Sequence, residues 1–488
     1  MQLKELLKQI KIEAWHADPE LAISGISYDS RETKPGDLFV AIRGLATDGH
    51  RFIASAIEKG ATAILCEEAP ECDIPWVQTD DSRLGLAMVS QTFFGNPAGQ
   101  MTMIGITGTN GKTTTSYLLK QLLERREGCR VGLVGTNGIW IGDRFLSSQR
   151  TTPESYELHR LFRQMLDAGC THVVMEVSSH SLSLKRVAGI HYHVGAFLNL
   201  SQDHLDFHGS MEEYAEAKRM LFSQCETGVI NLDDPWAAYM MEEAPKRRLL
   251  FSTEMNTADL LAKDIRLSAS GVRFAAVNKN EIAMVRLAIP GMFSVHNALC
   301  VLAIGQALDM RLADCAEALA QAKGVKGRME QVPTGEDYAV IIDYAHTPDA
   351  LENILSTLRP VTRGRLIAVF GCGGDRDRGK RPIMGAVAQK YADLSLVTSD
   401  NPRTEDPMEI IEEILQGMKN SRSAVKVICD REEAIGWAID KAEAGDVILL
   451  AGKGHEDYQE VGHEKRHMDE REIVASAIIQ RKNARGSA

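Results

Sequence analysis

The sequence predicts an α/β protein of three domains, with a parallel or mixed sheet carrying a phosphate loop at its centre. Two observations predict this class. Short apolar runs without alternation are separated by helical stretches through the middle and last thirds of the chain, as in parallel sheets that are buried on both faces. In addition, a chain of 488 residues is too long to fold around one hydrophobic core.

Two turn-rich stretches mark the predicted domain boundaries. GNPAGQ at 95–100 precedes the apolar run MTMIGIT, and KGRMEQVPTGED at 326–337 precedes YAVIID. The last third has the pattern of a doubly wound, Rossmann-like sheet, and ligands of such sheets bind beyond the carboxyl ends of the strands. We therefore predict an N-terminal domain at residues 1–98, a central domain at 99–333 and a C-terminal domain at 334–488.

Composition and charge argue against several classes of protein. The formal net charge of −12 disfavours binding to nucleic acid or to anionic membranes. The nine cysteines form no CxxC pair, which is typical of a reducing compartment. No run of about 18 apolar residues occurs, and the N-terminus lacks the pattern of a signal peptide. We expect a cytoplasmic protein.

The stretch GITGTNGKTTT at 105–115 has the features of a triphosphate-binding loop. Glycines let backbone N–H groups approach phosphate oxygens, Lys112 supplies a positive charge, and the Thr113 hydroxyl can reach Mg²⁺. The standard pattern has Gly where this chain has Ile106, so a chance glycine turn is the alternative. The predicted ATP-binding residues of the loop are Gly108, Thr109, Asn110, Gly111, Lys112, Thr113 and Thr114.

Polar residues follow the next two apolar runs, in MEVSSHSLSLKR (175–186) and LNLSQDHLDFHG (198–209). Glu176 is well placed to hold Mg²⁺, which prefers oxygen ligands. His204 and His208 are four residues apart, but Leu205 stands where a zinc HExxH motif has Glu, and no third soft ligand is evident. The alternative for His204 is a histidine that packs in a loop.

The phosphate loop, EVSSH at 176–180, GMFSVHNAL at 291–299, GRME at 327–330 and DYAHTP at 343–348 together resemble the Mur ligase family and its folylpolyglutamate synthetase relatives. The family comprises ATP-dependent amino-acid ligases of peptidoglycan assembly, and the resemblance covers the whole chain. It implies an ADP-forming acid–amino-acid ligase that uses ATP and Mg²⁺ and forms an acyl phosphate. Such an enzyme serves cell-wall biogenesis, and through it cell shape, the cell cycle and cell division.

The resemblance also assigns catalytic, metal-binding and nucleotide-binding residues. From the residues alone, Lys218 in EEYAEAKRML would be a lysine on a helix surface. Mur ligases have a lysine at this position that is carbamylated by CO₂ and helps to hold a second Mg²⁺. The implied catalytic residues are Lys112, Glu176, His204 and Lys218; the implied metal ligands are Thr113, Glu176, His204 and carbamylated Lys218; further ATP contacts are Asn297, Arg328 and Asp343.

The first domain and the central domain carry the motifs that the resemblance assigns to a UDP-linked dipeptide. YDSRETKPGDLFVAIRGLATDGHRF at 28–52 resembles the nucleotide-sugar end of ligases that add the third residue of the peptide stem, where Ser30 would meet UDP. A plain turn is the alternative for this stretch. Small hydroxyls and an arginine suit a ligand rich in amides and carboxylates. The implied dipeptide contacts are Thr151, Thr152, Ser178 and Arg186.

The last domain carries the predicted receptor for the incoming amino acid. FGCGGDRDRGKRP at 370–382 has Arg376 at the last glycine position of GxGxxG, which argues against a dinucleotide site. Two arginines, an amide and a carboxylate suit a molecule that ends in both a carboxylate and an ammonium group, whereas lysine ends in an ammonium alone. The predicted contacts are Arg376, Asp400, Asn401, Pro402, Arg403, Gly452 and Glu456.

DNPR at 400–403 is the form found in family members that add diaminopimelate. The expected reaction therefore joins meso-2,6-diaminopimelate to UDP-N-acetylmuramoyl-L-alanyl-D-glutamate, and a monomer without nucleic-acid or membrane partners is expected. The open alternatives are a lysine-adding ligase and a folylpolyglutamate synthetase relative. A nucleotide-dependent switch or binding protein, which would not need an amino-acid receptor, is the alternative outside the ligases.

Overall fold

The computed structural model describes residues 1–44, 47–71, 73–126, 128–148, 150–268, 271–419 and 423–486. It has a mixed α/β fold with several sheets rich in parallel strands, as predicted. Two compact units are present: Met1–Leu261 with Leu299–Cys315, and Ala262–Ala298 with Ala316–Ala488. The domains at 1–98, 99–333 and 334–488 stay a proposal.

The N-terminal residues form a five-stranded sheet in the order β1-β5-β4-β3-β2. Strands β2 to β5 are parallel, and β1 pairs antiparallel with β5. Strands β3 and β4 are fully buried, as expected for a sheet covered on both faces. The strands are β1 (Ile12–His16), β2 (Gly25–Ser27), β3 (Asp37–Val40), β4 (Ala63–Cys66) and β5 (Trp76–Thr79), with helices α1 (Leu3–Leu6), α2 (Ile53–Glu58) and α3 (Ser82–Phe93).

The rest of the first unit is built on a larger sheet. Its parallel strands are β6 (Thr102–Thr107), β7 (Val131–Gly135), β10 (His172–Glu176), β11 (Tyr192–Phe197), β12 (Cys225–Asn231) and β13 (Arg247–Ser252), and β8 (Gly138–Ile141) and β9 (Arg144–Leu146) are antiparallel to their neighbours. The helices are α4 (Lys112–Leu123), α5 (Ser155–Asp167), α6 (Ser179–Ser183), α7 (Leu205–His208), α8 (Met211–Arg219) and α9 (Ala237–Glu243).

Within the first unit, the strands of this sheet have the order β13-β12-β11-β6-β10-β7-β8-β9, which places β6 between β10 and β11. Ile106 pairs with Glu176 on one side, and Thr107 pairs with Phe197 on the other. The three strands therefore end level with one another. Because the chain turns to opposite sides of β6, the loops after these strands meet at a topological switch point, where ligands of such sheets bind.

Strand β14 (Leu260–Ser268) runs from the first unit into the second. The second unit continues with an antiparallel pair and then two helices, the first of which crosses back into the first unit. These elements are β15 (Gly271–Val277), β16 (Ile282–Leu287), α10 (Met292–Ala307) and α11 (Leu312–Ala320).

The last sheet has the order β17-β18-β22-β19-β20-β21 and is parallel apart from β17. Its strands are β17 (Glu330–Val332), β18 (Ala339–Asp343), β19 (Leu366–Phe370), β20 (Leu394–Val397), β21 (Ala424–Val427) and β22 (Val447–Ala451), followed by the hairpin β23 (Tyr458–Val461) and β24 (Glu464–His467). The helices are α12 (Pro348–Leu358), α13 (Lys380–Tyr391), α14 (Pro407–Leu415), α15 (Arg431–Asp440) and α16 (Glu470–Gly486).

Four of these parallel strands deliver the motifs of the last domain to one edge. DYAHTP begins at the end of β18, GCGGDR follows β19, DNPR follows β20 and GKGHE follows β22. The strands are mostly buried and apolar, and the polar motifs begin at or after their carboxyl ends. Among the described residues, none of the helices has the length and apolar character needed to cross a membrane.

Candidate active site

The phosphate loop joins β6 to α4 through two glycines with positive φ. Gly108 has φ 154° and Gly111 has φ 86°, and Gly111 is the residue from which α4 starts. A Cβ on Gly108 would lie 3.0 Å from the Cβ of Leu198, so a larger residue would crowd the neighbouring loop. Lys112 Nζ donates to the carbonyls of Gly108 and Thr109 at 2.8 and 2.9 Å. The lysine thus lies across the loop at the start of a twelve-residue helix, where anions bind.

The loop after β11 holds the phosphate loop in place. The backbone N–H of Asn110 donates to Asn199 Oδ1 at 2.8 Å, and the N–H of Ser201 donates to Thr109 Oγ1 at 3.0 Å. Thr109 Oγ1 also lies 3.2 Å from the hydroxyl of Tyr214. Asn199, Ser201 and Tyr214 were not predicted from the sequence, although Asn199 and Ser201 lie in the polar motif that follows β11.

Glu176 lies at the end of β10, fully buried, with its carboxylate held by hydroxyl and amide donors. Thr113 Oγ1 donates to Oε2 at 3.1 Å; Thr136 donates from its N–H to Oε1 and from its hydroxyl to Oε2, both at 3.0 Å. A Cβ on Gly135 would overlap Oε1, so this glycine makes room for the carboxylate. Thr136 was missed because a threonine after a strand carries no distinctive sequence signal.

This arrangement fits a hard divalent cation. Glu176 is a buried carboxylate, and no cationic side chain pairs with it among the described residues. A buried charge without a partner is costly, whereas the hydroxyl and carboxylate oxygens are ligands that Mg²⁺ prefers. Within the same part of the chain, no three His, Cys, Asp or Glu side chains are grouped to hold a metal. An ion here would complete its shell with substrate phosphates and water, as Mg²⁺ does.

Lys218 is not on the surface of α8 but buried beneath the phosphate loop, with 1% of its surface exposed. Its Nζ donates to the carbonyl of Gly108 at 2.9 Å, the same oxygen that Lys112 contacts, and lies 4.5 Å from the centre of the Tyr214 ring. Burial, with a smaller contribution from the charge of Lys112, lowers the pKa of Lys218 well below its ordinary value. The helix-surface alternative for this lysine is therefore wrong.

The two histidines of the DHLDFH segment differ in environment. His204 has φ 54°, its side chain is 48% exposed, and its ring lies 4.8 Å from that of His180. His208 is buried, and its Nε2 is hydrogen-bonded to Ser179 Oγ at 2.8 Å. His208 is thus part of the packing, while His204 is exposed; the assignment of His204 as a metal ligand stays a prediction.

The four predicted dipeptide contacts lie together beside Glu176. Thr152 Oγ1 donates to the carbonyl of Glu176 at 2.9 Å and lies 3.2 Å from Ser178 Oγ. Thr151 Oγ1 is 3.0 Å from the hydroxyl of Thr136. Arg186 Nη1 donates to the carbonyl of Thr152 at 3.2 Å, and burial lowers the pKa of this guanidinium.

Ser30 belongs to the N-terminal residues and not to this cluster of hydrogen bonds. It is buried in the turn between β2 and β3, and no hydrogen bond joins it to them within the described residues. Tyr28, two residues earlier, donates from its hydroxyl to Glu157 Oε1 on α5 at 3.0 Å. The N-terminal sheet is thereby connected to the helix that follows Thr151 and Thr152.

The second unit contains the three predicted ATP contacts outside the loop. Burial raises the pKa of Asp343 to about 6, and Oδ2 of this residue accepts a hydrogen bond from the N–H of Met329 at 2.7 Å. The guanidinium of Arg328 lies over the ring of Tyr344, 5.0 Å from its centre. Arg328 Nε and Asn297 Nδ2 are buried donors without a hydrogen-bond partner in the described residues. Such donors are costly unless a ligand accepts from them.

The predicted amino-acid receptor is assembled at the edge of the last sheet. Asn401 Nδ2 donates to Glu456 Oε2 at 2.9 Å, and a fully buried lysine, Lys453, donates to Asn401 Oδ1 at 2.6 Å and to Glu456 Oε2 at 3.2 Å. A Cβ on Gly452, which has φ 120°, would overlap the carboxylate of Asp400. Lys453 was missed, although it lies inside the GKGHE motif.

The two arginines of the receptor lie on neighbouring loops. Arg403 has φ 51°; its Nε donates to Glu460 Oε2 at 2.9 Å and its Nη1 to the carbonyl of Gly374 at 2.8 Å. A Cβ placed on Gly373 would lie 3.0 Å from Arg403 Nη1 and 3.8 Å from Arg376 Cγ, so both side chains line this glycine. Arg376 is exposed, and its Nη1 donates to the carbonyl of Asp375 at 3.0 Å.

The glycines of GCGG serve close packing between two loops. A Cβ on Gly374 would overlap the carbonyl oxygen of Pro402, and the N–H of Gly374 donates to the carbonyl of Asn401 at 2.9 Å. Pro402 therefore contributes backbone to the receptor. The glycines of GCGG let the DNPR loop approach closely. Because they serve this packing, GCGGDR resembles a dinucleotide motif only in part.

Three family models match the chain. Residues 22–91 match "Mur ligase family, catalytic domain", residues 106–305 match "Mur ligase middle domain", and residues 327–454 match "Mur ligase, glutamate ligase domain".

Among curated proteins, the chain is 46% identical over 485 residues to a protein of Caldanaerobacter subterraneus subsp. tengcongensis named UDP-N-acetylmuramoyl-L-alanyl-D-glutamate–2,6-diaminopimelate ligase. The match covers 98% of this chain and 99% of the relative. A protein of the same name from Clostridium tetani is 44% identical, with the same coverage.

Among solved structures, one described as a UDP-N-acetylmuramoyl-L-alanyl-D-glutamate–2,6-diaminopimelate ligase is similar with a TM-score of 0.75 and 33% identity, covering 99% of both chains. A folylpolyglutamate synthase of Mycobacterium tuberculosis, complexed with ADP and AMPPCP, shares the fold with a TM-score of 0.61 at 16% identity, covering 81% of this chain and 94% of the other.

Proposed function

The chain belongs to the Mur ligase family, and from this we propose that it joins meso-2,6-diaminopimelate to UDP-N-acetylmuramoyl-L-alanyl-D-glutamate with cleavage of ATP to ADP and phosphate. It is an ATP-dependent acid–amino-acid ligase. The observation that carries the choice of substrates is the similarity at 44–46% identity, over nearly the full length, to relatives named for this reaction.

The first half of the reaction activates the dipeptide. We infer that a carboxylate of the dipeptide's glutamate attacks the γ-phosphate of ATP, which forms an acyl phosphate and releases ADP. The ammonium of Lys112 and the N-terminus of α4 supply positive charge next to the phosphate loop. The hydroxyls of Thr151, Thr152 and Ser178 and the guanidinium of Arg186 would position the dipeptide beside Glu176.

Thr113 and Glu176 are the residues that would hold Mg²⁺ at the phosphates. When bound, this ion neutralises charge on the transferred phosphoryl group. The buried Glu176 carboxylate and the Thr113 hydroxyl are already held 3.1 Å apart by their own hydrogen bond. The chain thus presents both oxygens in a fixed arrangement, so these two side chains would have to reorganise little when the ion binds.

Lys218 would act as a carbamate. Its lowered pKa favours the neutral amine, which is the form that adds to CO₂. The addition forms an N–C bond and releases one proton, and it converts a buried cation into a carboxylate-like anion under the phosphate loop. That anion would offer a further oxygen ligand for Mg²⁺ near His204. It would also remove the repulsion between the ammonium groups of Lys112 and Lys218, which both contact the carbonyl of Gly108.

In the second half, the amine of the incoming amino acid attacks the acyl phosphate, and the tetrahedral intermediate expels phosphate to leave an amide. We infer that Asn401, Arg403 and Glu456 bind the far end of diaminopimelate, with Arg376 beside them. A distal carboxylate would pair with the arginines, whereas a lysine substrate would offer them no carboxylate.

We further propose that the enzyme works in the cytoplasm as a monomer. The eight cysteines of the described residues are free thiols, as in a reducing compartment; Cys72 lies outside the described residues.

The experiment that tests the function measures phosphate release by the purified protein with ATP and Mg²⁺. Release is expected only when the UDP-dipeptide and diaminopimelate are both present, with lysine a poor replacement. Equal turnover with lysine would favour the lysine-adding ligase. Release without any amino acid would favour a nucleotide-dependent switch, and release with a folate in place of the UDP-dipeptide would favour a folylpolyglutamate synthetase.

A further inference from the structure

We propose that Glu460, on the hairpin that follows the GKGHE motif, determines the choice of amino acid by orienting Arg403. This inference rests on the proposed function and deepens its account of the amino-acid receptor. Glu460 lies in β23, and its Oε2 accepts the hydrogen bond from Arg403 Nε at 2.9 Å. The side chains of Glu460 and Arg403 are 25% and 20% exposed, so solvent screens their interaction less than that of a surface ion pair.

The hairpin is attached to the DNPR loop along its length and not only through this ion pair. The hydrogen bonds are Gln459 Nε2 to the carbonyl of Asp400 at 2.7 Å, the N–H of Glu460 to Asn401 Oδ1 at 2.9 Å, the N–H of Arg403 to the carbonyl of Glu460 at 3.1 Å and the N–H of Gly462 to the carbonyl of Arg403 at 2.7 Å. The backbone of residues 400–403 is therefore fixed by residues 459–462.

Arg403 needs this support because its backbone conformation is unfavourable. Its φ of 51° lies in the left-handed region, which residues other than glycine seldom adopt. Such a conformation persists where surrounding contacts impose it, and it is found preferentially at ligand-binding positions. The two backbone hydrogen bonds of Arg403 to the hairpin impose it here. The hairpin thus fixes the direction in which the side chain leaves the loop.

The contacts of the guanidinium leave one edge for a ligand. Nε is used by Glu460 and Nη1 by the carbonyl of Gly374, while Nη2 has no hydrogen-bond partner among the described residues. A flexible arginine loses side-chain entropy when it binds a carboxylate, and a guanidinium already held at two nitrogens loses less. Glu460 therefore prepares Arg403 for a distal carboxylate.

Glu456, the carboxylate predicted for this site, is not hydrogen-bonded to Arg403 among the described residues. Its Oε2 accepts from Asn401 and from the fully buried Lys453, so its charge is already balanced within the receptor. The carboxylate of Glu460 has no lysine partner in the described part of the chain, and it is paired with Arg403. The carboxylate that acts on Arg403 is thus Glu460, four residues beyond the end of the motif.

The test compares diaminopimelate with lysine as substrates of the purified full-length enzyme. The variants are Glu460→Gln, which keeps an acceptor oxygen but removes the charge, and Glu460→Ala, which removes both. Glu464→Gln is the matched control, because Glu464 is an exposed carboxylate on the paired strand β24, opposite Val461. The measured quantity is the ratio of kcat/KM for diaminopimelate to kcat/KM for lysine, which does not depend on the fraction of active enzyme.

We expect Glu460→Ala to lower this ratio about tenfold, the effect of losing one charge-assisted hydrogen bond. The change should fall on KM for diaminopimelate, with kcat and the KM for ATP nearly unchanged. Glu460→Gln should lie between Ala and the wild type, and Glu464→Gln should match the wild type.

Two outcomes would overturn the inference separately from the proposed function. If the wild type prefers diaminopimelate and Glu460→Ala keeps that preference, the inference fails and the proposed function stands. Equal losses of kcat/KM for both amino acids would show that Glu460 has a merely structural role, and the inference would fail in the same way. A wild type with no preference for diaminopimelate overturns the proposed function, and the inference with it.

Discussion

A buried histidine outside the active site should make the stability of the protein depend on pH. His159 lies on α5, fully buried, with its ring edge-on to Phe162 at a centroid distance of 5.9 Å. Neither ring nitrogen has a hydrogen-bond partner in the described residues. Burial lowers the pKa of His159 from 6.5 to about 4. The folded protein therefore keeps this ring neutral at a pH where the unfolded chain protonates it.

The size of the effect follows from the difference between the two pKa values. Between pH 6.5 and 4 the unfolded chain binds a proton that the folded chain does not, so the free energy of unfolding falls as the pH falls. A difference of about 2.5 pKa units corresponds to about 3 kcal/mol at 1.36 kcal/mol per unit. The loss should begin near pH 6.5 and level off below pH 4.

Replacing His159 with Leu removes the titrating group and leaves an apolar side chain of similar size. At pH 7.5 the variant should be more stable by roughly 1–3 kcal/mol, because two unpaired polar atoms have been removed from the core. At pH 4.5 the difference should have grown by a further 2–3 kcal/mol or so. The assay is urea unfolding of both proteins at each pH, from which differences in unfolding free energy are obtained.

The control is Leu158→Val, which shortens a buried side chain on the same helix without adding or removing a titrating group. It should lower stability by about 1 kcal/mol to the same extent at both pH values. Groups that titrate elsewhere in the protein cancel in each comparison. A difference between wild type and His159→Leu that stays constant from pH 7.5 to pH 4.5 would refute the reasoning.

Three further predictions concern the site. Glu176→Gln keeps an acceptor for Thr113 but removes the buried charge. We expect kcat to fall roughly 100-fold and the Mg²⁺ concentration for half-maximal activity to rise. An unchanged Mg²⁺ dependence would contradict the metal assignment. Lys218→Ala should lower activity, with partial recovery on addition of a short carboxylate such as acetate; full activity without it would remove Lys218 from the mechanism. Gly374→Ala, whose Cβ overlaps the carbonyl of Pro402, should raise KM for diaminopimelate about tenfold and leave KM for ATP unchanged. Gly436→Ala, where a Cβ meets no atom within 4 Å, is its control, and equal effects of the two would refute the packing argument.

The sequence by itself determined the fold class and the position of the motifs. Apolar runs without alternation predicted the buried parallel strands. Glycines followed by Lys112 and Thr113, after such a run, predicted the phosphate loop. Both are local signals, because the period of a buried strand and the conformational freedom of glycine act within a few residues. The same local pattern located the polar residues of the last sheet at the ends of β18, β19, β20 and β22.

Only the tertiary structure decided what each polar side chain contacts. From the sequence alone, Lys218 was expected on the surface of a helix. It is buried instead, because α8 packs its side chain against the carbonyl of Gly108, 110 residues away in sequence. Thr136 and Glu460 lie in no motif, and Lys453 lies in GKGHE without having been predicted; the hydrogen bonds of all three to residues distant in the chain make them part of the site. The burial and pairing of a side chain depend on residues that are distant in the chain, so a local sequence pattern does not reveal them. The lowered pKa of Lys218 and the orientation of Arg403 both result from such distant contacts.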